Sequence, residues 1–213
     1  HAAERTAILK LFRQFHLGEC SDAMLQRYAK INRGYWERLE KGELTRDQVL
    51  VGRFQEFFEK EGLDVSAAPV FNEAYQQALG DTIVYCDDSY QIIDSLRGKV
   101  KQYVVSNGTI VAQEKKLRLS GLGALMDGIF LSEELGVEKP NKAFFDKVFE
   151  EIGDIDRDAM LIVGDSLTSD IRGGNNAGIR TCWYNPGHAT LIEGVHVDYE
   201  ITDLHEVYDL LKQ

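Results

Sequence analysis

The sequence predicts an α/β fold in which a helical domain precedes a parallel sheet covered by helices. Residues 1–82 show apolar side chains at helical spacing and no convincing strand. From residue 83 onward, short apolar runs alternate with helical segments, which is typical of parallel strands joined by right-handed crossovers. We therefore predict a helical domain over residues 1–82 and a sheet domain over residues 83–213.

Four helices are predicted in the first domain from their apolar spacing and their end signals. Ser21 or Asp22 suits the cap of the second helix, because both side chains accept hydrogen bonds from free backbone N–H groups. Thr45 and Gln48 have the spacing of a capping box that opens the third helix, and Pro69 suits the first turn of the fourth. These features predict a four-helix bundle.

Strands and helices are predicted to alternate in the second domain. Asp87 and Asp88 are expected to cap its first helix, which begins near Tyr90. The predicted strands cover residues 102–105, 128–131, 159–163, 181–184 and 199–201. The predicted helices cover residues 90–96, a segment ending near 119, and residues 143–152, 170–177 and 204–211.

The composition excludes several classes of function. A formal net charge of -11, from 24 basic and 35 acidic residues, argues against a nucleic-acid groove but allows a small phosphorylated substrate. No apolar run approaches ~18 residues, so we expect no membrane span. The cysteines lie outside any Cys-x-x-Cys pattern and are expected to be buried thiols of a reducing cytoplasm. They are Cys20, Cys86 and Cys182.

Polar side chains follow three of the predicted strands. Ser106–Asn107–Gly108 offers a hydroxyl, an amide and backbone N–H groups, which suits a phosphate cradle or a helix cap. Lys139 precedes Pro140 on a stiff turn, as a functional cation or as a solvated surface lysine. Asp165 and Asp170 suit a divalent cation; the alternative is an ordinary turn with Asp165 or Thr168 as the cap of the next helix. Ligand sites of α/β folds lie beyond the carboxyl ends of strands, so the combination favours a ligand site.

The order of these three groups resembles the second, third and fourth motifs of the haloacid dehalogenase-like (HAD) phosphohydrolases. The agreement spans residues 101–185. The resemblance implies a Rossmann-like parallel-sheet core, with the helical domain inserted as a cap after the first strand of the sheet.

The resemblance also implies a role for each group. Ser106–Asn107–Gly108 would bind the transferring phosphoryl group, and Lys139 would neutralise charge on the nucleophilic aspartate and the phosphate. Asp165 would ligate Mg²⁺, with Asp170 supporting the metal and the lysine. Positioned charges of this kind stabilise phosphoryl transfer.

The first motif of the family, Asp-x-Asp at the end of the first strand, is not found at that position. Asp154–Ile155–Asp156 has the spacing but follows a predicted helix, so we expect a polar loop. The family's first strand lies centrally in the sheet, and each buried unpaired backbone group costs ~1–3 kcal/mol. Against a total stability of about 5–15 kcal/mol, such a loss should prevent folding. Because the sequence begins with His and its first Met is Met24, we expect this strand and its aspartates upstream of residue 1.

Within the family, the nearest resemblance is to the pyrimidine 5′-nucleotidases. It rests on the runs Asn32–Arg33–Gly34–Tyr35–Trp36, Arg53–Phe54 with Thr45, and Thr181–Cys182–Trp183–Tyr184–Asn185. It implies Mg²⁺-dependent hydrolysis of a nucleoside monophosphate through an aspartyl-phosphate. Asn32, Trp36 and Arg53 are then candidate contacts to the base or sugar, and Trp36 is able to stack on a pyrimidine. The alternative for each is a place in the bundle core.

Three other functions stay open. A phosphatase for another small phosphate ester would use the same groups. A 2-haloacid dehalogenase shares the Ser-Asn pair and the lysine but needs no metal, so Asp165 favours the phosphatase. A non-catalytic binding module is the third. The expected partner is a small-molecule phosphate ester, with no nucleic acid and no membrane, and the protein is expected to be a monomer or a homodimer.

Overall fold

The computed structural model describes residues 2–153 and 155–211, so His1, Asp154, Lys212 and Gln213 lie outside the described residues. The chain divides into two compact units. The helical unit comprises the residues up to Val84 together with Thr109–Ser120. The sheet unit comprises Tyr85–Gly108 and the residues from Gly121 on.

The helical unit contains four helices close to the positions that the sequence predicts, and a fifth from the segment Thr109–Ser120. Its helices are α1 (Ala2–Gln14), α2 (Asp22–Glu40), α3 (Arg46–Glu61), α4 (Ala68–Asp81) and α6 (Ile110–Ser120), with a 3₁₀ turn at Val65–Ala67. The Ser21 hydroxyl accepts a hydrogen bond from the Met24 backbone N–H at 3.2 Å, and Thr45 and Gln48 form a complete capping box. The capping interactions predicted at both sites are confirmed.

The core of the helical unit is largely aromatic. The rings of Tyr28 and Phe54 stack with centroids 5.2 Å apart, and Phe54 meets Phe71 edge to face at 5.0 Å. Fully burying one such side chain contributes about 1.5–3 kcal/mol, and paired rings add to this. The unit therefore has a hydrophobic core of its own, formed mainly by α1 to α4.

An ion pair between α2 and α3 makes the stability of the helical unit depend on pH. Arg27 donates two hydrogen bonds to Glu61, at 2.5 and 2.8 Å, and these bonds hold the pKa of the Glu61 carboxyl below its usual value of 4.5. The ionised carboxylate thus stabilises the folded state above about pH 4.5, and this contribution is lost as the pH falls through the lower folded pKa. We expect Glu61→Gln to lower the melting temperature near pH 7, with the difference disappearing in acid.

Glu56 is the matched control for this prediction. It lies on the same helix and pairs with Lys60 at 2.6 Å, but both side chains are more exposed than Glu61. Exposed i,i+4 pairs contribute only about 0.3–0.5 kcal/mol, so Glu56→Gln should shift the melting temperature less. Equal shifts for the two variants, or a Glu61→Gln effect that persists in acid, would contradict the prediction.

The strands of the sheet unit are parallel, as the alternation of strands and helices predicts, but the described strands form two sheets instead of the single one predicted. In the first, β1 (Tyr103–Ser106) pairs with β2 (Gly128–Leu131). In the second, β4 (Arg180–Tyr184) lies between β3 (Leu161–Gly164) and β5 (Tyr199–Ile201). The helices of this unit are α5 (Ser89–Leu96), α7 (Ser132–Leu135), α8 (Lys142–Ile152), α9 (Arg172–Ala177) and α10 (Val207–Leu210).

An apolar slot lies along β1 and β3. Its volume is about 400 Å³, and its lining includes Tyr103 and Val105 from β1 and Leu161 and Val163 from β3. In the part of the chain that the structure describes, no strand pairs with the second edge of β1 or of β3. Val163 is 40% exposed, although it belongs to an apolar strand. The slot is thus a place where a further strand would bury apolar side chains.

The expectation that Asp87 and Asp88 cap the helix after them is wrong. Asp88 stands at the cap position of α5, but its φ is 53° and its side chain makes no capping hydrogen bond. Asp87 instead accepts hydrogen bonds from the Tyr184 hydroxyl at 2.7 Å and from the Leu204 backbone N–H at 3.2 Å. A contact with residues about a hundred positions away replaces the local cap.

Two further expectations need correction, one for the last helix of the sheet unit and one for the cysteines. The predicted helix over residues 204–211 is a 3₁₀ turn, Leu204–Glu206, followed by the single turn α10, with the Asp203 side chain accepting from the His205 N–H. All three cysteines are free thiols, but only Cys182 is buried; Cys20 is half-buried and Cys86 is exposed. Burial raises the pKa of the Cys182 thiol to about 12.

No described helix combines the length and the apolar character that crossing a bilayer requires.

Candidate active site

Lys139 is the centre of the predicted site in the sheet unit. Its side chain is buried, with the residue only 4% exposed. The Lys139 ammonium donates to the Asp170 carboxylate at 2.5 Å and to the Val105 backbone carbonyl at 2.9 Å. Val105 lies in β1 and Asp170 follows β3, so the ammonium lies at the carboxyl ends of both strands. A surface position, the alternative considered for Lys139, is excluded.

The side-chain amide of Asn107 holds the backbone of Lys139. Its Oδ1 accepts from the Lys139 N–H and its Nδ2 donates to the Lys139 carbonyl, both at 2.9 Å. Two opposed hydrogen bonds fix the peptide that carries the lysine. In the same loop, the Gly108 N–H donates to the Ser106 hydroxyl at 3.0 Å. Ser106, the last residue of β1, thus forms an ordered turn with Asn107 and Gly108, and the Asn107 side chain is hydrogen-bonded to Lys139.

The loop after β3 is organised around Asp170. One Asp170 oxygen accepts from Lys139, and the other accepts from the Ser166 backbone N–H at 3.1 Å. Asp165 is exposed, and its carbonyl accepts from the Trp183 indole at 3.1 Å. Asp170 therefore orients the lysine and the loop, while Asp165 is an exposed residue directly after β3.

The donor set fits magnesium. Within residues 2–153 and 155–211, no group of three or more His, Cys, Asp and Glu side chains gathers as a metal cluster. Mg²⁺ does not need such a cluster, because it is usually held by one or two carboxylates together with waters and substrate phosphate. Asp165 with Asp170 behind it meets that requirement.

Gly164 is required by the close approach of Asp170. A Cβ at this position would overlap the Asp170 carboxyl group. We expect Gly164→Ala to lower the free energy of unfolding by about 1–3 kcal/mol, the usual effect of overpacking. Since Asp170 would move with its lysine, turnover should fall by about a hundredfold in the complete enzyme. Chemical denaturation and steady-state kinetics measure the two effects.

Gly187→Ala is the control for this prediction. A Cβ at Gly187 would meet no atom within 4 Å, and its φ is outside the left-handed range. Stability and turnover should both remain near those of the unchanged protein, within about 0.5 kcal/mol for unfolding. If Gly164→Ala behaved like Gly187→Ala, the close packing of Asp170 against β3 would be wrong.

The three residues proposed for the substrate's base lie in the helical unit and contact one another. The Trp36 indole and the Arg53 guanidinium both donate to Asn32 Oδ1, at 3.1 and 2.7 Å. Trp36 is half-buried, whereas Asn32 and Arg53 are buried. Of the three, Trp36 has the side chain best placed to meet a ligand.

The sequence reasoning missed several polar residues of both units. Trp183 supports the Asp165 loop, and Asn72, Gln76 and Thr109 are buried and hydrogen-bonded in the helical unit. Asn72 and Gln76 are four positions apart on α4, among apolar residues that are also buried. Two amide side chains at helical spacing among apolar residues are the sequence pattern that would have indicated Asn72 and Gln76.

Comparisons with known proteins identify the family. The sequence profile of the haloacid dehalogenase-like hydrolases matches residues 2–178. The protein YfnB of Bacillus subtilis is 37% identical over 210 residues, covering 99% of this chain and 88% of its own. A crystal structure of YfnB bound to magnesium superposes with a TM-score of 0.93 at 35% identity, covering 100% of this chain and 92% of that one.

Two of the curated relatives are pyrimidine 5′-nucleotidases. The pyrimidine 5′-nucleotidase YjjG of Escherichia coli is 36% identical over 186 residues, which is 87% of this chain and 81% of the relative. The pyrimidine 5′-nucleotidase PynA of Streptococcus pneumoniae is 30% identical over 211 residues, with 99% and 88% covered. The chain belongs to the haloacid dehalogenase-like hydrolases. The predicted family and the predicted α/β fold with parallel strands are confirmed.

Proposed function

We propose that this protein is a Mg²⁺-dependent 5′-nucleotidase that hydrolyses pyrimidine nucleoside monophosphates. The observation that carries the proposal is the buried Lys139 ammonium between the ends of β1 and β3, beside the exposed Asp165. A cation and a carboxylate at this edge suit a phosphate dianion and a metal ion. The two nucleotidase relatives support the pyrimidine monophosphate as substrate.

In this proposal the chain's own residues position the phosphoryl group. The Ser106 hydroxyl and the Asn107 backbone would hold its oxygens, with the Gly108 N–H fixing the hydroxyl. Lys139 offsets the negative charge that gathers as the nucleophile approaches. A carboxylate oxygen forms a bond to phosphorus while the bond from phosphorus to the ribose 5′-oxygen breaks, and that oxygen takes up a proton. Water then attacks the aspartyl-phosphate, releasing inorganic phosphate and regenerating the carboxylate.

Asp165 would hold the magnesium ion, with Asp170 supporting it through Lys139 and the loop after β3. When bound, the ion neutralises phosphate charge and fixes the orientation of the phosphoryl oxygens.

The slot along β1 and β3 is the proposed place of the family's first strand. A parallel strand there would pair with the open edges of both strands and bury Val105 and Val163. Its carboxyl end would reach the same edge as Lys139, which is where a nucleophilic aspartate is needed. The sheet domain would then hold one continuous parallel sheet, with residues 1–82 as the inserted four-helix cap.

Selection of the base is proposed to come from the helical unit. Trp36 would stack on the pyrimidine, since every base offers a π-face, and Asn32 would fix the indole. Arg53 is buried and is proposed to support this pair rather than to touch the base. We place the enzyme in the cytoplasm, where free thiols such as those of its three cysteines persist.

The test is a substrate panel assayed with the protein of the complete reading frame. It comprises pyrimidine and purine nucleoside monophosphates, sugar phosphates and 2-chloropropionate, each with Mg²⁺ and with EDTA. We expect phosphate release from pyrimidine monophosphates that requires Mg²⁺. Faster release from sugar phosphates would contradict the nucleotide assignment, and chloride release without metal would show a dehalogenase. Full activity in EDTA would contradict the metal assignment.

A further inference from the structure

A continuous chain of hydrogen bonds runs through the interior of the helical unit. The Trp36 indole and Arg53 Nη1 donate to Asn32 Oδ1, and Arg53 Nη2 donates to Asn72 Oδ1 at 3.2 Å. Gln76 Nε2 donates to the same Asn72 oxygen at 3.1 Å, and the Thr109 hydroxyl donates to Gln76 Oε1 at 2.8 Å. Asn32 Nδ2 also donates to Glu4 Oε1 at 3.1 Å, so a carboxylate adjoins the series. We call this series the polar chain; its members are Trp36, Asn32, Arg53, Asn72, Gln76 and Thr109.

The polar chain lies in a setting that is costly for polar groups. All its members except Trp36 are buried, and Arg53 is 2% exposed. Each hydrogen bond that Arg53 makes to a described residue goes to a neutral oxygen, and its guanidinium lies over Phe54 and Tyr75 at 4.9 and 5.2 Å from the ring centroids. Apolar residues of similar volume would stabilise a bundle core at least as well. A role beyond stability is therefore indicated.

The hydroxyls beside Arg53 give the same indication. Tyr28 and Tyr75 are buried, and their hydroxyls influence each other's pKa but make no hydrogen bond of normal geometry to a described residue. Burial raises the pKa of Tyr28 to about 12, so the phenol stays protonated. An unsatisfied buried hydroxyl costs about 1–3 kcal/mol. The polar groups around Arg53 therefore lower the stability of the core, while the hydrogen bonds of the polar chain fix one arrangement of its side chains.

The two ends of the polar chain are the informative part. One end is the half-buried indole of Trp36. The other is Thr109, whose hydroxyl accepts from the Ala112 N–H at 3.3 Å in the first turn of α6. Thr109 follows Gly108 directly in the sequence. The last member of the polar chain is therefore the residue next to the Ser106–Asn107–Gly108 turn.

We propose that the polar chain is a positioning device that fixes the orientation of the Trp36 indole and links it to the segment that follows the Ser106–Asn107–Gly108 turn. Gln76 is its key positioning residue, because it joins Asn72 on α4 to Thr109. The inference rests on the proposed function, in which the indole stacks on the substrate's base. Loss of Gln76 should then weaken recognition of the base and leave recognition of the phosphate intact.

The test compares Gln76→Met with Gln77→Met in the complete protein. Both changes keep the side-chain length, but Gln77 is exposed and lies outside the polar chain. In the unliganded protein, the Trp36 indole N–H resonance is assigned with Trp36→Phe. We expect Gln76→Met to shift this resonance and to speed its solvent exchange roughly three- to tenfold, the effect of losing one or two hydrogen bonds.

Kinetics provide the second readout. Gln76→Met should raise KM for a pyrimidine monophosphate by the same factor, while KM for p-nitrophenyl phosphate, which has no base, changes by less than about twofold. An unchanged indole resonance, or equal changes of KM for both substrates, would overturn the inference. If Gln76→Met does not fold, Gln76→Glu, which keeps the Thr109 bond and loses the Asn72 bond, must show the same shift. A wild-type protein without nucleotidase activity would contradict the proposed function, whereas the indole measurement tests the polar chain by itself.

Discussion

Replacing Lys139 by Met is expected to produce the largest combined loss of stability and activity. The ammonium is buried with two partners, the Asp170 carboxylate and the Val105 carbonyl. Removing it leaves an uncompensated carboxylate in the interior, which lowers the free energy of unfolding by about 3–5 kcal/mol. Turnover should fall by at least about 10² to 10³, because one preorganised charge next to the transferring group is lost. Denaturant unfolding and kinetics of the complete enzyme measure both.

Two controls separate the structural effect of Lys139 from its catalytic one. In Lys139→Met with Asp170→Asn, the carboxylate charge is gone, so much of the stability should return while turnover stays low. Lys142→Met removes a lysine of an exposed i,i+4 pair with Asp146 and should change stability by less than about 0.5 kcal/mol. Near-normal turnover in the double variant would contradict the role of Lys139 in neutralising phosphate charge.

The sequence predicts well which residues lie at the carboxyl ends of the strands in the sheet unit, because each strand end is marked by neighbouring residues in the sequence. The apolar run before Ser106 and the one before Asp165 end where the strands end, and the predicted strand over 128–131 agrees with β2. Parallel strands bring their carboxyl ends to one edge, so the order of the polar groups indicates that they share a site. The structure contains the contact between Lys139 and Asp170 that the family resemblance implies, and it adds that the lysine is buried and also donates to the Val105 carbonyl.

Interactions between distant positions are what the sequence does not reveal. The side-chain amide of Asn107 is hydrogen-bonded to the backbone of Lys139, which is 32 positions away. Asp87 accepts a hydrogen bond from Tyr184 and does not cap the helix that follows it. In the helical unit, periodicity identifies the apolar positions but gives no account of buried amides such as Asn72. Arg53 was considered as a substrate contact, yet its burial places it beneath Trp36 and Asn32. These features depend on which helices face each other, which no local pattern specifies.

Asp165→Asn is expected to remove activity and leave stability unchanged, in contrast to Lys139→Met. The Asp165 side chain is exposed, and the substitution keeps the backbone carbonyl that accepts from the Trp183 indole. The free energy of unfolding should therefore change by no more than about 0.5 kcal/mol. Turnover should fall by about 10² to 10³, since the amide carries no charge to hold the cation.

Thermal shift gives a readout of Asp165 that is independent of turnover. A ligand that binds the folded state raises its stability with concentration, so added Mg²⁺ should raise the melting temperature of the unchanged protein and not that of Asp165→Asn. Asp158→Asn, an exposed aspartate before β3, should keep both the shift and the activity. If Mg²⁺ raised the melting temperature of Asp165→Asn as much as that of the unchanged protein, the cation would be bound by other residues and the role of Asp165 would be wrong. Because Asp170 binds Lys139 and the Ser166 N–H, its own variants disturb the lysine as well, so Asp165 gives the more direct test of the metal.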